Sequence, residues 1–310
     1  NNMNIDIALI VNTKAGNGLG LKDWPIISQK LTEQGFNFKQ FVTESKYHAI
    51  ELAKNAVKEG FKVIISVGGD GTLHEVVNGV LTQDYFPATD IAIGVIPVGS
   101  GNDWGRAYNY PSGYDAVIEL IKRANTKIQD VAKVTYSSGK EKLSRYMMNI
   151  GGLGFDAAVC REFEKLKAKG YGGKKLYIKG LITAFFGDNT TRYRVLADDN
   201  LFYEGHAFSM ALGIGQYSGG GMMQTPEALM DDGLVDLTII KKTSKLNVLR
   251  HLSKVFTGNL YEVKSIISHV KFKKLEIISA PDNILEIDGE VVGHTPLTIE
   301  VIPQAIRVLV

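Results

Sequence analysis

Cys160 is the only cysteine in 310 residues. That excludes an intramolecular disulfide framework and a cysteine-built zinc site, and makes a cytoplasmic setting the default expectation. No apolar run reaches the roughly 18 residues that a membrane-crossing helix needs. The start lacks a basic segment followed by an apolar core, so no secretory signal is expected. Asn1-Asn2 before Met3 reads as an expression scar. Neither sign of charge is in excess: 35 Lys and Arg against 33 Asp and Glu leave a net charge of +2, which does not by itself call for nucleic acid or an anionic surface. Basic residues are not interleaved with stacking aromatics, which argues against nucleic-acid binding. His48, His74, His206, His251, His269 and His294 show no metal-ligand spacing. Hydrophobic residues at 45% and charged residues at 22% exclude disorder.

Glycine is what the chain has in excess, 33 of 310 residues against a usual ~7%. Many of these glycines follow short apolar runs. Ile5–Val11, Phe36–Val42, Val63–Val67 and Ile91–Ile96 read as strands. Helical stretches separate the first three: Asp23–Gln34 closed by Gly35, then Ser45–Glu59 with Ser45 as N-cap. Thr72–Leu81 is a third. This alternation over about 125 residues predicts a doubly wound parallel sheet with helices on both faces. After Asp130 strand-like segments crowd together, interrupted by helical ones near Phe155–Lys167, Lys174–Phe186 and Ser244–Phe256. A β-rich sandwich is expected there. The division is thus 1–130 for an α/β nucleotide-binding domain and 131–304 for a β-rich substrate domain, with the strand near 305–310 a candidate to return to the first.

Three loops fall at the same edge of the first sheet: Asn12–Gly18, Gly68-Gly69-Asp70-Gly71-Thr72, and Gly99-Ser100-Gly101-Asn102-Asp103. Glycines let the backbone approach a ligand closely. A helix N-terminus offers unpaired N–H groups and a positive dipole end, which suits phosphate. Three such loops predict a nucleoside triphosphate site at the crevice of an open α/β sheet. Neither G-x-G-x-x-G after the first strand nor G-x-x-x-x-G-K-[ST] is present, which disfavours a dinucleotide dehydrogenase and a P-loop enzyme. An Asp among phosphate-facing amides needs Mg²⁺ or a hydroxyl as partner.

Gly68–Thr72 with Glu75, followed by Pro97–Asp103, resembles the diacylglycerol kinase catalytic-domain family, which includes sphingosine kinases and bacterial lipid kinases. NAD kinases share the first motif and 6-phosphofructokinases carry a close variant; the second motif favours the lipid kinases. Asn149–Asp156, Tyr217–Met222, Asp232-Gly233-Leu234 and Ile287–Glu290 resemble further signatures of the family, in family order. Ser100 stands where the family usually has Thr, and the hydroxyl survives. The resemblance implies an NAD kinase- and 6-phosphofructokinase-like first domain. It also implies ATP and Mg²⁺ as cofactors, with Asn12, Lys14, Gly16, Thr43, Gly68, Gly69, Asp70, Gly71, Thr72, Glu75, Gly99, Ser100, Gly101 and Asn102 around the nucleotide. Asp70 and Asp103 would organise the metal.

Asp288-Gly289-Glu290 marks a tight turn that projects two carboxylates. On spacing alone a hydrophilic hairpin is the simpler reading. The resemblance makes Asp288, or Glu290, the base that deprotonates an acceptor hydroxyl, with Asp103 and Asp130 supporting. It also implies a second metal site, for Mg²⁺ or Ca²⁺, from Asp232 and the carbonyls of Leu229 and Leu234. Between Arg161 and Arg194, nine basic residues flank the apolar run Leu176–Phe186, which suits a helix lying on an anionic bilayer as well as a core helix with a solvated flank. The expectation is an ATP-dependent lipid kinase, peripheral to the membrane, acting on diacylglycerol or a related lipid alcohol and a candidate homodimer. A kinase for a soluble acceptor such as NAD, and a non-catalytic nucleotide- or lipid-binding regulator, are the alternatives.

Overall fold

The computed structural model describes residues 6–99, 101–169, 174–187 and 191–310. The chain forms two compact units, residues 1–131 with 303–310, and residues 132–302.

The first unit runs β1 (Asp6–Val11), α1 (Ala15–Glu33), β2 (Asn37–Val42), α2 (His48–Lys58), β3 (Val63–Gly68), α3 (Asp70–Thr82), β4 (Ala92–Pro97), α4 (Asp103–Ala107), α5 (Tyr114–Arg123) and the start of β5 (Thr126–Ser138). The end of the chain's last strand, Glu290–Leu309, completes the sheet by pairing with β4 at Arg307 and Val308. These pairings are parallel, in the order β2, β1, β3, β4, last strand, and β5 also pairs with the last strand. Ile7 to Val11 are wholly buried, as expected of a strand covered on both faces. Helix α1 packs on α5 and α2 on α3. Their apolar stripes, such as Ile27 and Leu31 of α1 with Val117, Ile118 and Ile121 of α5, close the core. Because the strands are parallel, the loops after β1, β3 and β4 all leave one edge.

Three local features differ from expectation. Helix α1 begins at Ala15 and is broken at once by left-handed Gly16, Asn17 and Gly18, so the expected loop is a helical turn with a reversal. Left-handed Tyr47, not Ser45, stands at the N-cap of α2. Helices α4 and α5 fill the stretch between β4 and β5 that no sequence period marked.

The second unit adds β6 (Glu141–Met147), β7 (Ile150–Gly154), α6 (Phe155–Ala168), α7 (Lys174–Phe186), β8 (Arg192–Ala197) and β9 (Asn200–Gly213). The short β10 (Tyr217–Ser218) and β11 (Met222–Met223) follow, then β12 (Val235–Lys241), α8 (Lys245–Thr257), β13 (Ile267–Phe272), β14 (Lys274–Ala280), β15 (Ile284–Ile287) and β16 (Glu290–Leu309). Pairing is antiparallel throughout. One sheet follows β13, β12, β9, β7, β15 and β16. Strand β9 bends to pair its first half with β8, and β16 passes on to β14, which pairs with β8. Long strands that serve two sheets make the corners of a sandwich. Its core is built by alternate residues such as Met210, Leu212, Leu237, Leu275, Leu285 and Ile299.

Candidate active site

Glycines stand in the loops that follow β1, β3 and β4 at the carboxyl edge of the parallel sheet. Strand β1 lies between β2 and β3, so this edge contains the point where strand order reverses, the usual ligand crevice of open α/β sheets. The loops there are tied to one another. The Asn12 amide N–H donates to Val67 O at 3.0 Å, its Nδ2 donates to Thr72 Oγ1 at 3.1 Å, and its Oδ1 accepts from the Lys14 N–H at 3.1 Å. Val98 N–H donates to Gly68 O at 3.1 Å. Gly16 and Gly99 lie back to back, both at positive φ, and a Cβ on Gly99 would stand 2.9 Å from Gly16 Cα. Only glycine fits both places.

Gly69 and Gly101 are bare for a different reason. A Cβ on Gly69 would meet only Gly101 O at 3.5 Å, and one on Gly101 only Asp70 Oδ2 at 4.0 Å. These positions face open space. Gly69 is also the N-cap of α3 and offers no side-chain cap, so the first turn of α3, at Gly71 and Thr72, presents the positive end of the helix dipole, which suits an anion. Lys14 Nζ donates to Glu44 O at 3.3 Å, and Thr43 N–H donates to Val11 O at 2.9 Å. Both therefore belong to the same edge. Glu75 is buried one turn into α3. Asn102 caps α4, its Oδ1 accepting from Gly105 N–H at 3.2 Å. Ser100 lies outside the described residues.

The acids of this unit fasten its frame. Asp70 Oδ2 accepts from Asp103 N–H at 2.9 Å and its Oδ1 from Trp104 N–H at 3.4 Å, joining the start of α3 to that of α4. Asp103 Oδ1 pairs with Arg106 Nε at 3.2 Å. Buried Asp130 accepts from Gln304 N–H at 2.8 Å, joining β5 to the last strand.

In the second unit Asp288 and Gly289 form a two-residue turn between β15 and β16, both with positive φ (50° and 87°), as the tight hairpin geometry requires. Both Asp288 oxygens face the main chain. Oδ1 accepts from Asn149 N–H (2.9 Å) and Ile150 N–H (3.1 Å), and Oδ2 from Met148 N–H (3.0 Å). Glu290 is held differently. Its Oε2 pairs with Arg145 Nη1 at 3.2 Å, both side chains mostly buried, and among the described residues no hydrogen bond reaches its Oε1. Glu286 Oε2 accepts from Gly289 N–H at 2.9 Å. Burial, reinforced by the charges of Asp156 and Asp288, pushes Glu286 well above the usual carboxylate range.

Asp156, at the start of α6, lines a cavity of about 70 Å³ enclosed by β9, β12, α8 and the segment before β13. Its walls are almost wholly apolar, among them Phe155, Phe208, Ile240, Leu252, Val255 and Ile267. Burial pushes Asp156 up to about 6, with the Gln224 amide and the nearby Ser209 hydroxyl opposing. Arg145, Asp156, Gln224 and Glu286 were not among the sequence candidates. Asp156 ends a quoted signature, but Arg145 meets its partner 145 residues further along, which no local pattern reveals.

The expected metal loop already contains a cation. Asp232 Oδ1 accepts from Leu234 N–H at 3.0 Å and its Oδ2 stands 3.6 Å from Lys271 Nζ. That ammonium also donates to Asp236 (2.8 and 3.0 Å) and to Glu227 O (2.8 Å). With a lysine neutralising these acids, the residues present do not call for a metal ion, and no step is derived through one. Among the described residues no cluster of three or more His, Cys, Asp or Glu is placed to hold a metal.

A glycine-lined edge in one unit and a buried acid turn in the other suit phosphoryl transfer, and the family matches make the chain a kinase, a phosphotransferase. The chain belongs to the diacylglycerol kinase catalytic-domain family: residues 6–134 match that domain, and residues 150–310 match the YegS C-terminal NAD kinase beta sandwich-like domain. It is 30% identical over 300 residues to a diacylglycerol kinase of Staphylococcus epidermidis, covering 97% of this chain and 90% of the relative. It is also 30% identical over 288 residues to one of Staphylococcus aureus, covering 93% and 87%. The fold is shared with a diacylglycerol kinase of Bacillus anthracis (TM-score 0.77, 24% identity, 100% and 98% covered) and with yeast NADH kinase in complex with NADH (TM-score 0.53, 11% identity, 99% and 84% covered).

Proposed function

We propose that the protein transfers the γ-phosphoryl group of ATP to the hydroxyl of diacylglycerol or a closely related lipid alcohol. The observation that carries the lipid reading is the apolar cavity of the second unit. It lies beside Asp156, whose charge acts on Glu286, which in turn feels Asp288. An apolar cavity a few residues from a carboxylate turn suits a hydrocarbon tail behind a reacting hydroxyl. The NAD kinase alternative shares the fold but does not account for such a wall.

Mg²⁺ bound with ATP would neutralise part of the charge on its phosphates. The loop amides around Gly69 and Gly101 and the first turn of α3 bind the phosphates, with Lys14 as the nearby positive charge. The hydrogen bonds of the two acids favour Glu290 over Asp288 as the base. Asp288 spends both oxygens on three amides and positions the turn, whereas Glu290 keeps Oε1 available. Glu290 takes the hydroxyl proton as the lipid oxygen bonds to the γ-phosphorus and ADP leaves. Arg145 orients Glu290.

Access to a lipid is supported by two helices of the second unit. Ile178, Ile182 and Phe186 on α7 and Leu246, Leu249 and Phe256 on α8 are exposed. Lys245 Nζ donates to the carbonyls of Phe185 and Gly187, fastening α8 to the end of α7. With Lys179 and Arg250 exposed beside these stripes, the pair suits peripheral contact with an anionic bilayer. Among the described residues no helix is long and apolar enough to cross a membrane.

Incubation with labelled ATP and a panel of diacylglycerol, other lipid alcohols, NAD and NADH tests the proposal. Label in a lipid is the expected result. Label in NAD or NADH alone, or ATP binding without turnover on any acceptor, would overturn it.

A further inference from the structure

Lys271 stands on β13 directly opposite Asp236 on β12. Opposite charges at such cross-strand positions attract, yet this lysine also reaches beyond its neighbour. Its Nζ donates to both Asp236 oxygens, at 2.8 and 3.0 Å, and to Glu227 O at 2.8 Å. Asp232 Oδ2 stands 3.6 Å from the same nitrogen. Leu234 N–H holds Asp232 Oδ1 at 3.0 Å, which leaves Oδ2 to face Lys271. The Asp236 side chain is only 4% exposed, so its charge has to be met by a fixed cation rather than by water. Carboxylate and carbonyl oxygens gathered around one positive charge are the donor set of a Mg²⁺ or Ca²⁺ site. The resemblance drawn from the sequence puts a divalent ion at this loop. Here an ammonium occupies the centre of the oxygens, and its bonds are charge-assisted.

We propose that Lys271 is the built-in cation of the second unit: its ammonium takes the structural role of a divalent ion, holding residues 227–234 onto β12, and the loop binds a metal only when the lysine is removed. A tethered cation differs from a bound one in a measurable way. Stabilisation by a bound ion rises and falls with the free metal concentration, whereas a side-chain ammonium is present in every molecule. Folding of this unit is therefore independent of divalent cations, and Mg²⁺ is needed only with the nucleotide. Without the ammonium, two carboxylates and a carbonyl would face one another unneutralised. Those are hard oxygen donors, and Ca²⁺, which tolerates irregular coordination, suits them better than Mg²⁺, which demands a near-ideal octahedron. The inference holds for any acceptor, lipid or not.

Thermal melting without nucleotide tests this, in EDTA, in Mg²⁺ and in Ca²⁺ at matched ionic strength, for the parent, Lys271→Met and Lys271→Arg. Calorimetric titration with Ca²⁺ accompanies the melts. The parent is expected to melt at one temperature in all three solutions and to show no Ca²⁺ binding that depends on Asp232, checked with Asp232→Asn. Lys271→Met should melt lower by roughly 5 °C or more in EDTA and recover at least half of that loss in Ca²⁺, with less recovery in Mg²⁺. Its recovery should vanish when Asp232→Asn is added. Lys271→Arg keeps the charge and should stay indifferent to EDTA. A parent whose melting falls on chelation, or which binds Ca²⁺ through Asp232, would overturn the proposal. So would a Lys271→Met protein that melts like the parent in EDTA, or one that neither ion restores. If Lys271→Met does not fold in EDTA, refolding it in Ca²⁺ reads the same exchange, and the parent's response to EDTA needs no variant at all.

Discussion

Two carboxylates, Asp288 and Glu290, stand one residue apart in the chain and do different work because their oxygens meet different partners. Asp288 holds the entry to β7 through Met148, Asn149 and Ile150, while among the described residues Glu290 pairs with Arg145 alone. Glu290→Gln should lower turnover on an active lipid by about 10²–10⁴ and leave ATP affinity unchanged, since the phosphates are held elsewhere. Asp288→Asn cannot accept from all three amides as a carboxylate does. It should cost about 1–3 kcal/mol of stability together with its loss of rate, read by denaturant unfolding beside initial rates. Near-normal turnover by folded Glu290→Gln would return the base to Asp288. Asp156 makes a separate prediction. Burial pushes its carboxyl from the ordinary 3.8 up to about 6, so the folded protein holds the proton more tightly. The stabilisation is fully present below pH about 4 and is lost as pH rises through about 6. The effect is on the order of 3 kcal/mol. Asp156→Asn should flatten unfolding free energy between pH 4 and 6 relative to the parent; an unchanged slope would show that the carboxyl is not perturbed.

At the scale of elements, the nucleotide edge depends on which glycines touch and which are bare. Gly16 and Gly99 are needed for the packing of two loops, but Gly69 has room for a side chain and ordinary dihedrals, φ −94° and ψ −169°. Gly69→Val should therefore fold and melt close to the parent while filling the space above the first turn of α3. ATP affinity should fall by roughly a hundredfold or more, measurable by calorimetry. Tight ATP binding by this variant would remove the phosphate cradle from Gly69. Much of this edge could be read from the chain, because Gly68–Thr72 and Gly99–Asp103 announce strand-to-helix turns by composition. What could not be read is that Asp70 caps α4 across 33 residues of chain. Nor could the N-cap of α2 be read: Ser45 has the right chemistry, yet the helix starts at His48, after left-handed Tyr47.

For the whole molecule, the consequential feature is that the first unit is closed by the end of the chain. Ile306, Val308 and Leu309 are buried, Arg307 and Val308 pair with Ala92 and Ile93, and Tyr110 donates to Leu309 O at 2.6 Å. Each buried aliphatic side chain contributes about 1.5–3 kcal/mol. Removing residues 303–310 should thus cost about 5–9 kcal/mol, comparable to the ~5–15 kcal/mol by which whole domains are stable. Loss of ATP binding and of cooperative melting in the truncated protein is the expected outcome. A truncated chain that still binds ATP would show that the α/β unit stands without its last strand.

The sequence by itself determined the parallel sheet, the glycine edge and the β-rich second half, because strand runs, helical stripes and glycine turns are local patterns whose physics acts within a few residues. It also supplied the Asp288–Glu290 turn, since tight turns are written in two or three positions. Only the tertiary structure decided that three main-chain amides tie down Asp288, that Arg145 faces Glu290, and that Asp156 lines an apolar cavity. Those outcomes depend on hydrogen-bond partners and burial contributed by strands far apart in the chain, and neither leaves a local signature. Sequence placed the carboxylates in order; folding the second unit determined what each oxygen meets.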